Sequence, residues 1–345
     1  MDDVLHNSTF LKACRGEETD FTPIWLNRQA GRYMPEYHQV KGDTKRLDFF
    51  KTPELAAKAT CDAQRILGVD AAIMFADLLP ILEPMGMKLD YIPGFGPNFD
   101  NPVRTHADID NLRVQPAKDS MPYINDVIKL IRAELPADIP LIGFGGAPFT
   151  LASYAIEGKG SRNYVFVKQM MYGDTGAWHA LMEKITNTVI DYMNYQIDSG
   201  VQAVQLFDSW VGTLSPADYR AYVMPHSQRM MEEVCGRVPV IHFGTGNPAL
   251  APLMAEAGGD VLALDWRTPL IETWNATGVK SVQGNMDPII LCADEASVKR
   301  KAKEVLDEVN GRPGHIFNLG HGIIPETPVE NVKALVDFVH EYTAK

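Results

Sequence analysis

Apolar residues along this 345-residue chain fall in short runs that end in Gly, Asp, Ser or His, and a stretch with helical spacing follows each run. The runs are Ile24–Asn27, Ala71–Ala76, Leu141–Phe144, Gln202–Phe207, Val238–Phe243, Val261–Leu264, Ser281–Gln283 and His315–Leu319. Apolar and polar residues do not alternate within them, as expected of parallel strands covered on both faces. Between the runs, Thr52-Pro53, Ser215-Pro216, Asn247-Pro248, Thr268-Pro269 and Thr327-Pro328 predict helix starts, where a side-chain oxygen caps orphan N–H groups and proline fits the first turn. Gly68, Gly258, Gly278 and Gly311 stand where helices need a left-handed last residue. A short helix around Ser8–Cys14 precedes the first strand. Eight strand-then-helix units, with no second cluster of strands, predict a single-domain (β/α)8 TIM barrel spanning residues 1–345. An open doubly wound sheet fits less well. No GxGxxG follows the first strand, and Gly143-Phe144-Gly145-Gly146 has a different spacing.

One connection is out of proportion to the rest. More than sixty residues separate Ala76 from Leu141, and Gly94-Phe95-Gly96-Pro97 sits between short extended pieces there. That pattern predicts a hairpin excursion after the second strand, with a helix near Ser120–Leu135 before the barrel resumes. Its aromatic and apolar content argues for order, and loops of this length are commonly functional.

Composition narrows the function. Hydrophobic residues make up 46% of the chain, enough for a large core, and the formal net charge is -12. Nucleic acid as the main partner calls for a basic footprint that this chain lacks. An anionic small molecule stays possible if positive charge is local, and Arg28, Arg32, His38, Lys41, Lys45, Arg46 and Lys51 do cluster near the start. Cys14, Cys61, Cys235 and Cys292 are widely spaced, which predicts free thiols and a cytoplasmic setting rather than a zinc ribbon. No apolar stretch is long enough to span a membrane, and the N-terminus has no long apolar run of a signal peptide.

Active sites of such barrels lie at the C-terminal ends of the strands. The wall residues are then Arg28 and Arg32, Asp77, Gly145–Ala147 with Tyr154, Asp208 and Ser209, His242, Asp265, Asn285 and Asp287, and His321. No lysine stands at a strand end, so Schiff-base chemistry lacks its usual nucleophile. Arg28 and Arg32 are four residues apart, one face of a helix or one side of a strand, and so able to converge on one carboxylate ligand. The bland alternative pairs them with surface acids such as Glu36. Asp77 is read either as a turn cap or as a site carboxylate, Tyr154 as core or contact, and His242 as a packed core histidine. Ser209 lacks the GxSxG setting of a nucleophile.

The segment Arg28-Gln29-Ala30-Gly31-Arg32-Tyr33-Met34-Pro35-Glu36-Tyr37 closely resembles the signature of the uroporphyrinogen decarboxylase family. The resemblance continues in family order through Phe75-Ala76-Asp77, Gly145-Gly146-Ala147-Pro148-Phe149-Thr150 with Tyr154 and Glu157-Gly158, and Phe207-Asp208-Ser209-Trp210. Gln283-Gly284-Asn285-Met286-Asp287-Pro288 and Asn318-Leu319-Gly320-His321-Gly322 complete it. It implies a homodimeric barrel that uses no cofactor and no metal. The substrate would be the tetrapyrrole uroporphyrinogen III, converted to coproporphyrinogen III in haem biosynthesis by loss of CO2 from four acetate arms. It places substrate contacts on Arg28, Gln29, Ala30, Arg32, Asp77, Tyr154, Ser209 and His321. Catalysis is assigned to Asp77, Arg28, Arg32, His321 and Tyr154. One departure is that His38 and Lys41 stand where the family commonly has arginines.

The chemistry suits these residues. Decarboxylation needs an electron sink, which many enzymes supply with a cofactor. A pyrrole protonated at the ring carbon beside the acetate-bearing carbon is its own sink, so the protein must deliver a proton and stabilise a cation. A lone carboxylate at Asp77 fits the second task, and the two arginines orient substrate carboxylates. The proton donor is open among Arg28, His321 and Tyr154. Two other classes are a zinc-dependent methyltransferase, which needs a His/Cys ligand set that His242-Phe243-Gly244 does not offer, and a tetrapyrrole carrier without catalysis.

Overall fold

The computed structural model describes residues 3–345. Its main sheet has seven parallel strands in sequence order: β1 (Ala72–Ile73), β4 (Leu141–Gly146), β5 (Ala203–Asp208), β6 (Val240–Gly244), β7 (Val261–Ala263), β8 (Ser281–Gln283) and β9 (His315–Ile316). Strands β2 (Leu89–Ile92) and β3 (Gly96–Phe99) form a separate antiparallel hairpin between β1 and β4. The sheet is curled, helices separate its successive strands, and β4 is buried along its whole length. This explains the missing alternation in the sequence.

The first expected strand, Ile24–Asn27, is reduced to a single parallel bridge between Ile24 and Phe317. Phe317 N donates to Pro23 O at 2.8 Å and Trp25 N to Phe317 O at 3.4 Å, while on the other side Asp70 N donates to Ile24 O at 2.9 Å. The segment is therefore bonded to neighbours of both edge strands. A regular ladder cannot extend, because Pro23 has no N–H and the Ile24 N–H is taken by the Asp70 carboxylate at 2.7 Å.

Two of the five expected caps form. Ser215 Oγ accepts from Asp218 N and Asn247 Oδ1 from Ala249 N. Thr52 holds the N-cap position but its hydroxyl donates to Asp48 O, while Thr268 donates to Asp265 and Thr327 faces Cys292, the helices after these two starting one residue later with Pro269 and Pro328 at the N-cap. Gly68 and Gly278 do end their helices in the left-handed conformation, but Asn310 takes that place ahead of Gly311. The helix anticipated near Ser120–Leu135 runs Tyr123–Glu134.

A chain of buried amides crosses the sheet interior below the strand ends. Trp25 Nε1 donates to Gln283 Oε1 (2.9 Å), Gln283 Nε2 to Gln205 Oε1 (2.9 Å) and Gln205 Nε2 to Asn27 Oδ1 (3.1 Å). Asn318 Oδ1 then accepts from Asn27 N (3.0 Å) and Leu319 N (2.7 Å). Buried polar groups are paired as a rule, and such a network fixes one register, although Asn318 Nδ2 has no protein partner here. Here it ties the loop carrying Arg28 to the loop carrying His321.

Candidate active site

Asp77 lies just past β1, half-buried at the strand ends. Its Oδ1 accepts from Leu79 N at 3.2 Å, the turn-capping role open to any aspartate there. Oδ2 lies 3.5 Å from the Arg46 Nη2 group, and the Tyr91 hydroxyl faces the same carboxylate. One face of the carboxylate is thus held by backbone and the other turned toward the cleft.

Arg28 has a left-handed backbone, φ 61°, rare for a residue with a Cβ and costing about 1–2 kcal/mol relative to ordinary backbone. The Leu26–Gln29 turn and the amide chain beneath hold it there. Burial lowers the guanidinium pKa, Asp77 and Tyr154 oppose that, and Arg46 and Arg32 add to it. Arg28, Asp77, Tyr154, Arg32 and Arg46 thus share one electrostatic neighbourhood. Neither Arg28 nor Arg32 pairs with a carboxylate among the described residues; Glu36 keeps a buried oxygen without a partner rather than bridging to them. The surface-pair alternative for the two arginines is thereby corrected.

Gln29 and Ala30 behave differently from their neighbours. Gln29 is buried, its Oε1 accepting from Leu26 N and its Nε2 donating to Ala71 O, so its amide is committed to the scaffold. Ala30 packs on the core.

Tyr154 projects from the helix Pro148–Glu157 beside Trp210, ring centroids 5.5 Å apart. Burial first, then the Asp77 carboxylate, pushes its hydroxyl up to about 12, which keeps it protonated at neutral pH. Ser209 lies between Asp208 and Trp210 and is half-buried.

His321 Nδ1 accepts from Gly322 N at 2.7 Å, which leaves the proton on Nε2. Burial and then the Arg28 charge push the imidazole down to about 4. The ring at neutral pH is therefore a neutral hydrogen-bond donor.

Other residues of the expected wall turn out to be structural. Asp208 is fully buried and accepts from Thr150 Oγ1, burial pushing it up to about 7. Thr150 in turn accepts from Trp210 N, so this pair holds the strand end on which Ser209 sits. His242 is a core histidine whose Nδ1 faces the carbonyls of Met254 and Gly258. Asp265 accepts five bonds, from Thr245 Oγ1, Gly246 N, Arg267 N, Arg267 Nη1 and Thr268 Oγ1, and Asn285 donates to the carbonyls of Asp265 and Thr268. Asp287 caps the turn of Pro288–Cys292.

Two further side chains reach the site. Arg46 stands in the sequence only within a basic segment, and Tyr91 arrives from the hairpin, with its ring under the Arg46 guanidinium and its hydroxyl facing Asp77. The one local signal is an arginine four residues before Phe50 on a short helix. Among the described residues no three His, Cys, Asp or Glu side chains converge as metal ligands.

The profile of the family described as uroporphyrinogen decarboxylase (URO-D) matches residues 5–342. The uroporphyrinogen decarboxylase of Carboxydothermus hydrogenoformans is 51% identical over 340 residues, covering 98% of this chain and 97% of that protein. That of Sorangium cellulosum is 52% identical over 333 residues, covering 96% and 95%. Among solved structures, a methyltransferase from Methanosarcina mazei superposes with a TM-score of 0.81 at 23% identity, covering 97% of this chain and 98% of that one, a likeness of fold.

Proposed function

The chain belongs to the uroporphyrinogen decarboxylase family, and from that membership we propose how its cleft removes CO2 from the four acetate arms of uroporphyrinogen III to give coproporphyrinogen III. The observation that carries the reading is the convergence of one cleft-facing carboxylate, Asp77, with Arg28 and Tyr154 at the strand ends of an acidic protein.

Asp77 accepts hydrogen bonds from the pyrrole N–H groups and faces the positive charge that develops on the ring. Arg28 and Arg32, free of acidic partners, take substrate carboxylates and orient the reacting arm. Ala30 shapes the approach, Gln29 acts through the scaffold, and Tyr154, Ser209 and His321 offer neutral hydrogen bonds. Each step then runs as follows. A proton adds to the ring carbon beside the acetate-bearing carbon, giving a cationic ring. The bond to the carboxylate breaks, CO2 leaves, and its electron pair enters the ring as an exocyclic methylene. A proton then adds to that methylene to make the methyl group, and the ring carbon returns its own proton, so each arm takes up one proton net.

Of the three candidate acids, His321 is neutral at physiological pH and Tyr154 is driven toward a weaker acid. Arg28 alone is a cation whose pKa burial lowers, and we assign it the proton. The ring serves as its own electron sink, with no cofactor in the scheme.

The same reading takes residues 1–345 as one closed (β/α)8 domain, the Ile24 segment serving as the eighth stave, with the β2–β3 hairpin as an excursion that reaches the site through Tyr91. It takes the protein as a cytoplasmic homodimer, for which the family resemblance is the support. No helix of the described residues is long and apolar enough to cross a membrane. Anaerobic incubation with uroporphyrinogen III and no added metal or cofactor, followed by chromatography, should show stepwise loss of four carboxylates. Binding without CO2 release would make the protein a carrier and overturn the proposal.

A further inference from the structure

Arg46 opens the short helix Arg46–Lys51, with Phe50 four residues on and so on the same face. Its guanidinium carbon lies 5.7 Å from the Phe50 ring centroid and 4.7 Å from that of Tyr91. The two rings, one from this helix and one from the hairpin, meet edge to face with 6.0 Å between centroids and 68° between planes, and the Tyr91 ring is the nearer to the guanidinium. The contact with Asp77 is single and long, 3.5 Å, with 42% of the arginine side chain exposed. Among the described residues, no other acceptor takes a hydrogen bond from this guanidinium, which has five N–H donors.

Arg267, which is also half-exposed and also lies over an aromatic ring (Trp266), differs in its pairing: it meets Asp265 at 2.8 Å, and that carboxylate is buried and engaged by backbone and hydroxyl donors. An exposed monodentate pair like Arg46–Asp77 contributes only about 0–1 kcal/mol. The cation–π contact with the Tyr91 ring, by contrast, steadies the guanidinium and leaves N–H edges open for a bidentate acid. The Tyr91 hydroxyl is buried and faces the Asp77 carboxylate without a hydrogen bond of good geometry to it. The Arg46 charge also acts on Arg28 and Tyr154.

We propose that Arg46 is a further substrate-binding residue of this reaction, an arginine that lies against Asp77 in this structure and moves to a side-chain carboxylate of the macrocycle when substrate enters. The weak Asp77 contact is readily exchanged for that carboxylate, and the move opens the Asp77 oxygen that meets the pyrrole N–H groups. The inference rests on the assignment of Asp77 to the pyrroles.

The test is anaerobic steady-state kinetics with uroporphyrinogen III for the wild type, Arg46→Gln and Arg46→Lys, with thermal melting of each. Arg46→Gln should raise KM by about tenfold, or ~1.4 kcal/mol, with kcat within about threefold, the signature of lost uniform binding. Arg46→Lys should fall between, since an ammonium keeps the charge and loses the stacked fork. Added salt should raise KM of the wild type more steeply than that of Arg46→Gln. Unchanged KM in Arg46→Gln overturns the proposal, as does a fall in kcat at constant KM, or a rise in KM accompanied by an equivalent loss of melting temperature. A wild type that releases no CO2 would instead overturn the decarboxylase reading itself.

Discussion

The side chain of Arg28 runs across the backbone of Gly322, so close that a Cβ on residue 322 would stand 2.4 Å from its Cδ and 2.7 Å from its Cγ. Glycine at 322 is therefore part of how Arg28 lies against the last loop, beside the hydrogen bonds between Asn27 and the Asn318–Leu319 pair that already join the two loops.

Gly322→Ala should displace Arg28 while leaving the fold intact, because the obstructed atoms belong to a side chain that can move away. The expected result is a loss of kcat/KM of more than about tenfold with little change in melting temperature. Gly320→Ala should behave in the opposite way. Its Cβ would meet the Trp266 backbone nitrogen at 2.3 Å, a collision no rotamer relieves, so destabilisation should dominate. Full activity in Gly322→Ala would remove Arg28 from the mechanism as described.

Asp77→Ala should abolish turnover, since nothing else in the neighbourhood shared with Arg28 and Tyr154 can face a cationic ring with negative charge. Asp77→Asn keeps the size and one acceptor, and should retain substrate binding while losing rate. Equilibrium binding and single-turnover measurements separate the two effects. Turnover near that of the wild type in either variant would sink the assignment.

His321 should remain a neutral imidazole down to a pH near its value of about 4, because burial and the Arg28 charge both oppose its protonation. NMR titration of the ring is expected to show no change between pH 5.5 and pH 8. His321→Asn should then cost less than about 1.4 kcal/mol, tenfold in rate, since an amide can replace a neutral donor. A larger loss, or a limb in the pH–rate profile that vanishes in this variant, would return the proton to histidine.

Stability should fall as pH drops from about 6.5 toward 4. His226, His242, His315 and His321 are each pushed down to about 4 by burial, so across this window the unfolded chain binds their protons and the folded chain does not. Each such proton tilts stability by at most about 1.4 kcal/mol per pH unit. Asp208, pushed up to about 7, works in the opposite sense because it holds its proton when folded, but it is one group against four. His340, raised by its bond to Asp70, contributes stability that is lost only as pH rises above the window. Urea unfolding at half-unit pH intervals reads the slope. A flat profile between pH 4 and 6.5 would contradict the neutral buried histidines.

How far the sequence could be read depends on whether a feature is local. Strand positions followed from lost alternation, and the helix around Ser8–Cys14 and the Ser215 and Asn247 caps from the chemistry of a few neighbouring residues. The first strand was the exception. Its backbone groups are claimed by Asp70 and Asn318, residues 46 and 291 positions away, and no local pattern announces that.

Motifs spread along nearly the whole chain identify the family from residues alone, and with it the candidate residues Arg28, Arg32, Asp77, Tyr154, Ser209 and His321. How these stand to one another is a matter of the folded chain. The loops carrying Arg28 and His321 come together because a chain of buried amides and a glycine let two segments from opposite ends of the chain approach. His321 is neutral because burial and the Arg28 charge make it so. Arg46 and Tyr91 join Asp77 because a helix and a hairpin fold over the same strand end. Residue identity sets what each group can do, while charge, burial and contact are properties of neighbours, and for this site the neighbours come from across the chain.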